Sequence, residues 1–147
     1  MSGDTKSGRT NSGRTNSGRI NYAGTSPLEP VVGYSRVVRV GNIVHVAGTT
    51  ATNPDGSGQV VGVGDMYAQA RQTLENISAA LAKAGVPLSS VVRTRMFVTD
   101  ISRQDEAGRA HGEFFREILP VASMIGVSAL VNPEMLIEIE VEAILED

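Results

Sequence analysis

The stretch from Leu136 to Ala143, LIEIEVEA, constrains the fold more than any other part of the sequence. Ile137, Ile139, Val141 and Ala143 alternate with Glu138, Glu140 and Glu142. Strand side chains change face at every residue, so this is a half-buried strand with one dry face and a row of three carboxylates on the other. A strand of this kind needs a sheet around it and an apolar layer over its dry side.

Two segments can supply that layer. In DMYAQARQTLENISAALAKAG, Met66, Ala70, Leu74, Ile77 and Leu81 recur at steps of three and four and make one apolar helical stripe. Asp65 is placed to cap its start and Gly85 to end it in a left-handed conformation. A second helix is predicted after Ser102, the expected cap, with Asp105 three residues on. Its stripe is Ala107, Ala110, Phe114 and Ile118, and Pro120 stops it.

Further strands are predicted over Tyr34–Val40 and Asn42–Thr49, turning at Gly41-Asn42, and over Val91–Asp100, Ser123–Leu130 and Leu136–Ala143. In Val91–Asp100, Val92, Thr94, Met96 and Val98 share one face, and Arg93, Arg95, Phe97 and Thr99 the other. The order is β-β-α-β-α-β-β. Two helices cannot cover both faces of such a sheet, so the prediction is an α+β two-layer domain with both helices on one face. The open face then carries Arg93, Arg95 and Phe97 beside the glutamates, a mixture that points to contact between copies of the chain.

Residues 1–21 differ in kind. SGRTN, SGRTN and SGRIN repeat from Ser7 to Asn21, with little to bury, so a disordered or weakly docked tail is expected over 1–21 and a single domain over 22–147. The tail holds four basic residues against one acidic. The remainder holds nine against fifteen, a net −6 within the −3 of the whole chain. Such a body is a poor general binder of nucleic acid, which requires clustered positive charge. A basic arm for RNA is one reading of the tail, and a neutral duplicated extension is the plainer one. No apolar run reaches the ~20 residues of a membrane helix. The start has no signal-peptide core, and the expectation is a cytoplasmic protein.

There is no cysteine, so thiolate chemistry and Cys-based metal sites are excluded. His45 and His111 lie far apart without compact ligand spacing, and no metal or cofactor is expected. Gly62-Val63-Gly64-Asp65 precedes a helix, but Asp65 would repel an anion there, and a capping turn accounts for it. The glutamate row remains. Closely spaced carboxylates raise one another's pKa where water is excluded, as a general acid or water-positioning base requires. The plainer reading is a strand face neutralised by Arg93 and Arg95.

The chain from about Asn21 to Leu145 resembles the reactive intermediate deaminase (Rid) family, also called YjgF or L-PSP endoribonuclease-like. The stretches that carry the likeness are GYSRVVRVGN, VHVAGTT, DMYAQARQTLENISAALAKAG, VVRTRMFVTD and PEMLIEIEVEA. The resemblance implies a chorismate-mutase-like fold and a homotrimer in which the bare sheet faces meet and small-molecule clefts lie between subunits. It also implies cofactor-free hydrolysis of imine or enamine intermediates. Some members are described as ribonucleases or translation inhibitors, and others only bind metabolites, as a non-catalytic or chaperone-like trimer would.

By the same resemblance Tyr34 is the site tyrosine and Glu138, or Glu140, positions the attacking water. The arginine that holds a substrate carboxylate falls at Ala122, a frequent cysteine at Met124, a strand glutamate at Gly126, a serine at Ala47 and a helix asparagine at Gly108. Backbone N–H groups around Ser123 would hold the ligand's polar end. Without the arginine, amino-acid-derived imines should bind weakly and the cleft becomes more apolar. Arg95 is a candidate stand-in, or a partner of the glutamates.

Overall fold

The computed structural model describes residues 12–14 and 18–146. Its strands are β1 (Ser12–Arg14), β2 (Arg19–Tyr22), β3 (Val37–Val40), β4 (Ile43–Thr49), β5 (Val91–Val98), β6 (Val121–Gly126) and β7 (Ile137–Ile144), and its helices α1 (Met66–Lys83) and α2 (Gln104–Phe115). One seven-stranded sheet runs β1-β2-β3-β4-β7-β5-β6, antiparallel at every pairing except the parallel β5–β6 edge. The α+β two-layer architecture is therefore as expected, with two N-terminal strands added.

The added strands move the expected start of order, near Tyr22, back to Arg19 and dock part of the tail. Residues 1–11 and 15–17, where most of the expected disorder fell, lie outside the described residues. Arg19–Tyr22, however, pairs with β3. The cause is one substitution within the repeat: its third copy has Ile where the others have Thr, and Ile20 is buried in the sheet. A single isoleucine gives a polar segment enough apolar area to dock.

The β7 alternation governs the layers. Ile137, Ile139, Val141 and Ala143 are buried, while the three glutamates are half-exposed. The buried side meets Leu74, Ile77 and Leu81 of α1 and Ala107, Ala110 and Phe115 of α2 in one core. Asp65 caps α1 by accepting from Ala68 N at 3.0 Å. Gly85, at φ +76°, closes it with bonds from Val86 N to Leu81 O and from Gly85 N to Ala82 O, both 2.9 Å. Gly41, at φ +59°, forms the β3–β4 turn.

Several local expectations shift. A register irregularity between Val91 and Arg93 turns Val91 inward and leaves Val92 exposed. Asp100, not Ser102, caps the approach to α2 through a 3₁₀ turn at Ile101–Arg103. Phe115 takes the core place expected of Phe114, which lies beneath the Arg71 guanidinium at 4.8 Å. β6 starts directly after Pro120 and pairs Arg93 with Val121, so it ends at Gly126. Buried Gln69 joins three loop groups: Nε2 donates to Gly62 O and Glu134 O, and Oε1 accepts from Leu136 N. No helix among the described residues is long and apolar enough to cross a membrane.

Candidate functional site

The open sheet face sorts the glutamates into two environments. Cross-strand register sets Arg93 opposite Glu142, Arg95 opposite Glu140 and Phe97 opposite Glu138. Arg95 Nη1 donates to Glu140 at 3.2 Å and lies 3.6 Å from Glu142, which Arg93 also approaches at 3.5 Å and His45 Nδ1 at 3.6 Å. Glu140 and Glu142 thus have cationic partners, whereas Glu138 faces a phenyl ring across the strands. Arg95 is a partner of the glutamates. It lines a hollow of about 380 Å³ with Tyr34, His45, Glu140 and Glu142.

Glu138 instead lines a larger crevice of about 770 Å³ with Tyr34, Arg36, Gly48 and apolar side chains that include Leu28, Val32 and Met135. Burial pushes its carboxyl above the ordinary glutamate pKa, the nearby Glu140 charge adds to the rise, and Arg36 opposes it. Its seat depends on a glycine. β4 leaves register with β7 between Val46 and Thr49, and Gly48 lies there under Glu138. A Cβ on Gly48 would come within 2.8 Å of the Glu138 carboxyl carbon. The bulge and the missing side chain together allow the carboxylate to lie against the β4 backbone.

Tyr34 and Arg36 reach the crevice from the segment preceding β3. Glu29, in a π-helical turn over Glu29–Gly33, is almost fully buried and accepts from Gly24 N at 2.9 Å and Ser26 N at 3.4 Å. These bonds hold the loop that carries Tyr34. Arg36 Nη1 donates to Gly48 O at 2.9 Å and Thr49 Oγ1 at 3.1 Å, and Nη2 to the Tyr34 hydroxyl at 3.4 Å. Arg36, Gly48 and Glu29 were not among the site residues expected from sequence. The only available signal for the glycine was its place in VHVAGTT, and nothing local distinguished Arg36 from Arg39.

The β6 candidates stand elsewhere. Ala122 and Met124 pair with Thr94 and Met96 on the helix side of the sheet, and Ser123 pairs with Arg95 on the open side. None of the three lines the crevice of Glu138 within one protomer. Of the other positions the resemblance singled out, Ala47 lines the crevice, whereas Gly126 and Gly108 do not. His111 is on the helix side, 2.8 Å from Thr94 Oγ1, with its pKa lowered by burial.

The Endoribonuclease L-PSP family model matches residues 24–145, which hold β3 to β7 and both helices. The chain belongs to this family. A relative from Streptomyces coelicolor, described as an uncharacterized protein, is 36% identical over 118 residues, covering 80% of this chain and 86% of its own. The 3-aminoacrylate deaminase RutC of Acinetobacter baylyi is 35% identical over 116 residues, covering 79% and 88%. A Mycobacterium tuberculosis crystal structure, described as a member of the YjgF/YER057c/UK114 family, is 45% identical with a TM-score of 0.77. It covers 86% of this chain and 99% of that one. These likenesses agree with the Rid/YjgF membership that the quoted motifs implied.

Proposed function

We propose that this L-PSP family protein hydrolyses small imine- or enamine-like reactive metabolites without a cofactor, with Glu138 handling the water. The observation that carries this reading is the Glu138 carboxyl: half-buried, raised above its ordinary pKa, without an ion pair to any described residue, and open to a crevice that also holds a tyrosine hydroxyl. A carboxyl in that condition is a stronger base than an ordinary glutamate, and can take a proton from water and return it. The water oxygen adds to the carbon of C=N as Glu138 accepts a proton. Glu138 passes that proton to the nitrogen, which completes the carbinolamine. The C–N bond then breaks as the carbinol O–H proton moves through Glu138 to the departing nitrogen and the C=O bond forms. One imine and one water yield one carbonyl compound and one ammonia. Tyr34 hydrogen-bonds the ligand. Similarity to a protein named as a deaminase supports the reaction class.

The working unit in this reading is a cytoplasmic homotrimer. Its charged sheet faces pack together, and β6 of a neighbouring subunit brings Ala122, Ser123 and Met124 to the mouth of the crevice. The test is ammonia release from 2-iminobutyrate generated in situ. Glu138→Gln should lose 10²- to 10⁴-fold in turnover, the usual share of a general acid–base group. Equal rates in wild type and variant would remove Glu138 from the mechanism.

A second reading, a non-catalytic metabolite-binding or chaperone-like trimer, is favoured by the apolar walls of the crevice and by alanine at position 122. It predicts thermal stabilisation by a small ligand with no turnover. Ribonuclease activity ranks below both, because the body of the chain carries net negative charge.

A further inference from the structure

Arg36 is anchored on one side only. Its Nη1 is fully engaged, donating to Gly48 O at 2.9 Å, Thr49 Oγ1 at 3.1 Å and more distantly Ala47 O at 3.5 Å. Nη2 makes one long bond, 3.4 Å, to the Tyr34 hydroxyl, and the guanidinium carbon stands 5.6 Å from the centre of that ring. A guanidinium presents five N–H donors in a fixed plane. Nε makes no hydrogen bond to a described residue, so the Nε–Nη2 edge retains donor capacity on the wall of the crevice. That edge has the paired geometry that matches a carboxylate.

The other cations of this region are placed differently. Arg93 and Arg95 are committed to Glu140 and Glu142. Lys83, also on the crevice wall, is exposed in the last turn of α1 and has no bond to Tyr34 or β4. Arg36 is also close enough to Glu138 for its charge to act on that carboxyl. An anionic group held by Arg36 would thus sit beside both the tyrosine hydroxyl and the carboxyl proposed to handle water.

We propose that Arg36 is the specificity-determining anion anchor of this crevice, its Nε–Nη2 edge and the Tyr34 hydroxyl holding the carboxylate of a small ligand whose apolar part lies toward Leu28, Val32 and Met135. The positive charge that Ala122 does not provide is then supplied from the segment preceding β3. The inference rests on the crevice being the ligand site, but not on its being catalytic.

The test compares 2-oxobutyrate with 2-butanone, which lacks only the carboxylate, in calorimetric or NMR titrations of the full chain. Wild type should prefer 2-oxobutyrate at least tenfold, and Arg36→Gln should abolish the preference while leaving 2-butanone affinity within twofold. A merely structural clamp would weaken both ligands together. Should Arg36→Gln fold poorly, the Arg36 Nε resonance of the wild type decides: it should shift with 2-oxobutyrate and not with 2-butanone. Absence of a carboxylate preference in wild type, its survival in Arg36→Gln, or an unmoved Nε resonance would each overturn the proposal. Ammonia release without carboxylate preference would remove Arg36 and leave the hydrolase reading standing. Arg36-dependent binding without turnover would do the reverse.

Discussion

Gly48→Ala tests the seat of Glu138 without touching the carboxylate itself. Gly48 is not among the glycines with positive φ, so alanine meets no backbone penalty there. Its Cβ would lie 2.8 Å from the Glu138 carboxyl carbon and 3.2 Å from Cγ. Glu138 Oε2 would lie nearer still, and since non-bonded heavy atoms rest at about 3.2–3.5 Å or more, the carboxyl must retreat by about 1 Å. The obstructing atoms are the end of a flexible side chain, which places the stability cost near the lower end of overpacking, about 1 kcal/mol. Turnover is far more sensitive, since a displacement near 1 Å can cost roughly a hundredfold. In the ammonia-release assay, Gly48→Ala should lose about that factor in kcat. In a Glu138→Gln background it should cause no further loss, because both changes act on one group. Glu138→Ala should remove the clash and recover the lost stability. Full activity in Gly48→Ala, or losses that multiply with those of Glu138→Gln, would refute the reasoning.

Three further predictions concern stability. Because the folded-state pKa of Glu138 is raised, chiefly by burial, its contribution to stability is fully present below the unfolded pKa and is lost as pH rises through the folded value. Glu138→Gln should therefore melt higher than wild type at neutral pH, with the gap closing on acidification; a constant gap in a pH series of melting curves would contradict this. Gln69→Ala strands Gly62 O, Glu134 O and Leu136 N, and urea denaturation should show a loss of about 2–4 kcal/mol. Ile20→Thr restores the tail repeat and should cost about 1 kcal/mol, with hydrogen exchange at Asn21 and Tyr22 accelerating ahead of the rest of the sheet.

The sheet was legible because its main signals are periodic. Alternation in β7 and the three–four spacing in α1 each determine a face, and the buried residues fall on those faces. Signals of one residue were less dependable: the irregularity at Val91–Arg93 and the choice of Phe115 over Phe114 depend on tertiary fit, which periodicity does not encode. β2 was missed because a repeat suggests uniform behaviour, and one isoleucine breaks it.

At the site, the glutamate row could be seen in the sequence, but not the difference between its members. That difference arises from cross-strand partners, arginine for Glu140 and Glu142 and phenylalanine for Glu138, and from a bulge in another strand. Arg36 was invisible for the same reason, since its partners are backbone oxygens that only the fold brings to it.

The account depends most directly on Glu138 exchanging a proton with water at a raised pKa. Carbon-13 NMR of the Glu138 carboxyl, set beside the pH dependence of kcat/KM, tests it in one comparison. Glu138 should titrate above the ordinary 4.5 of a glutamate, and activity should fall with acidification along the same curve, as required of a base that must be deprotonated. Titration at or below 4.5, or an acid limb of activity that does not follow the Glu138 signal, would contradict the account.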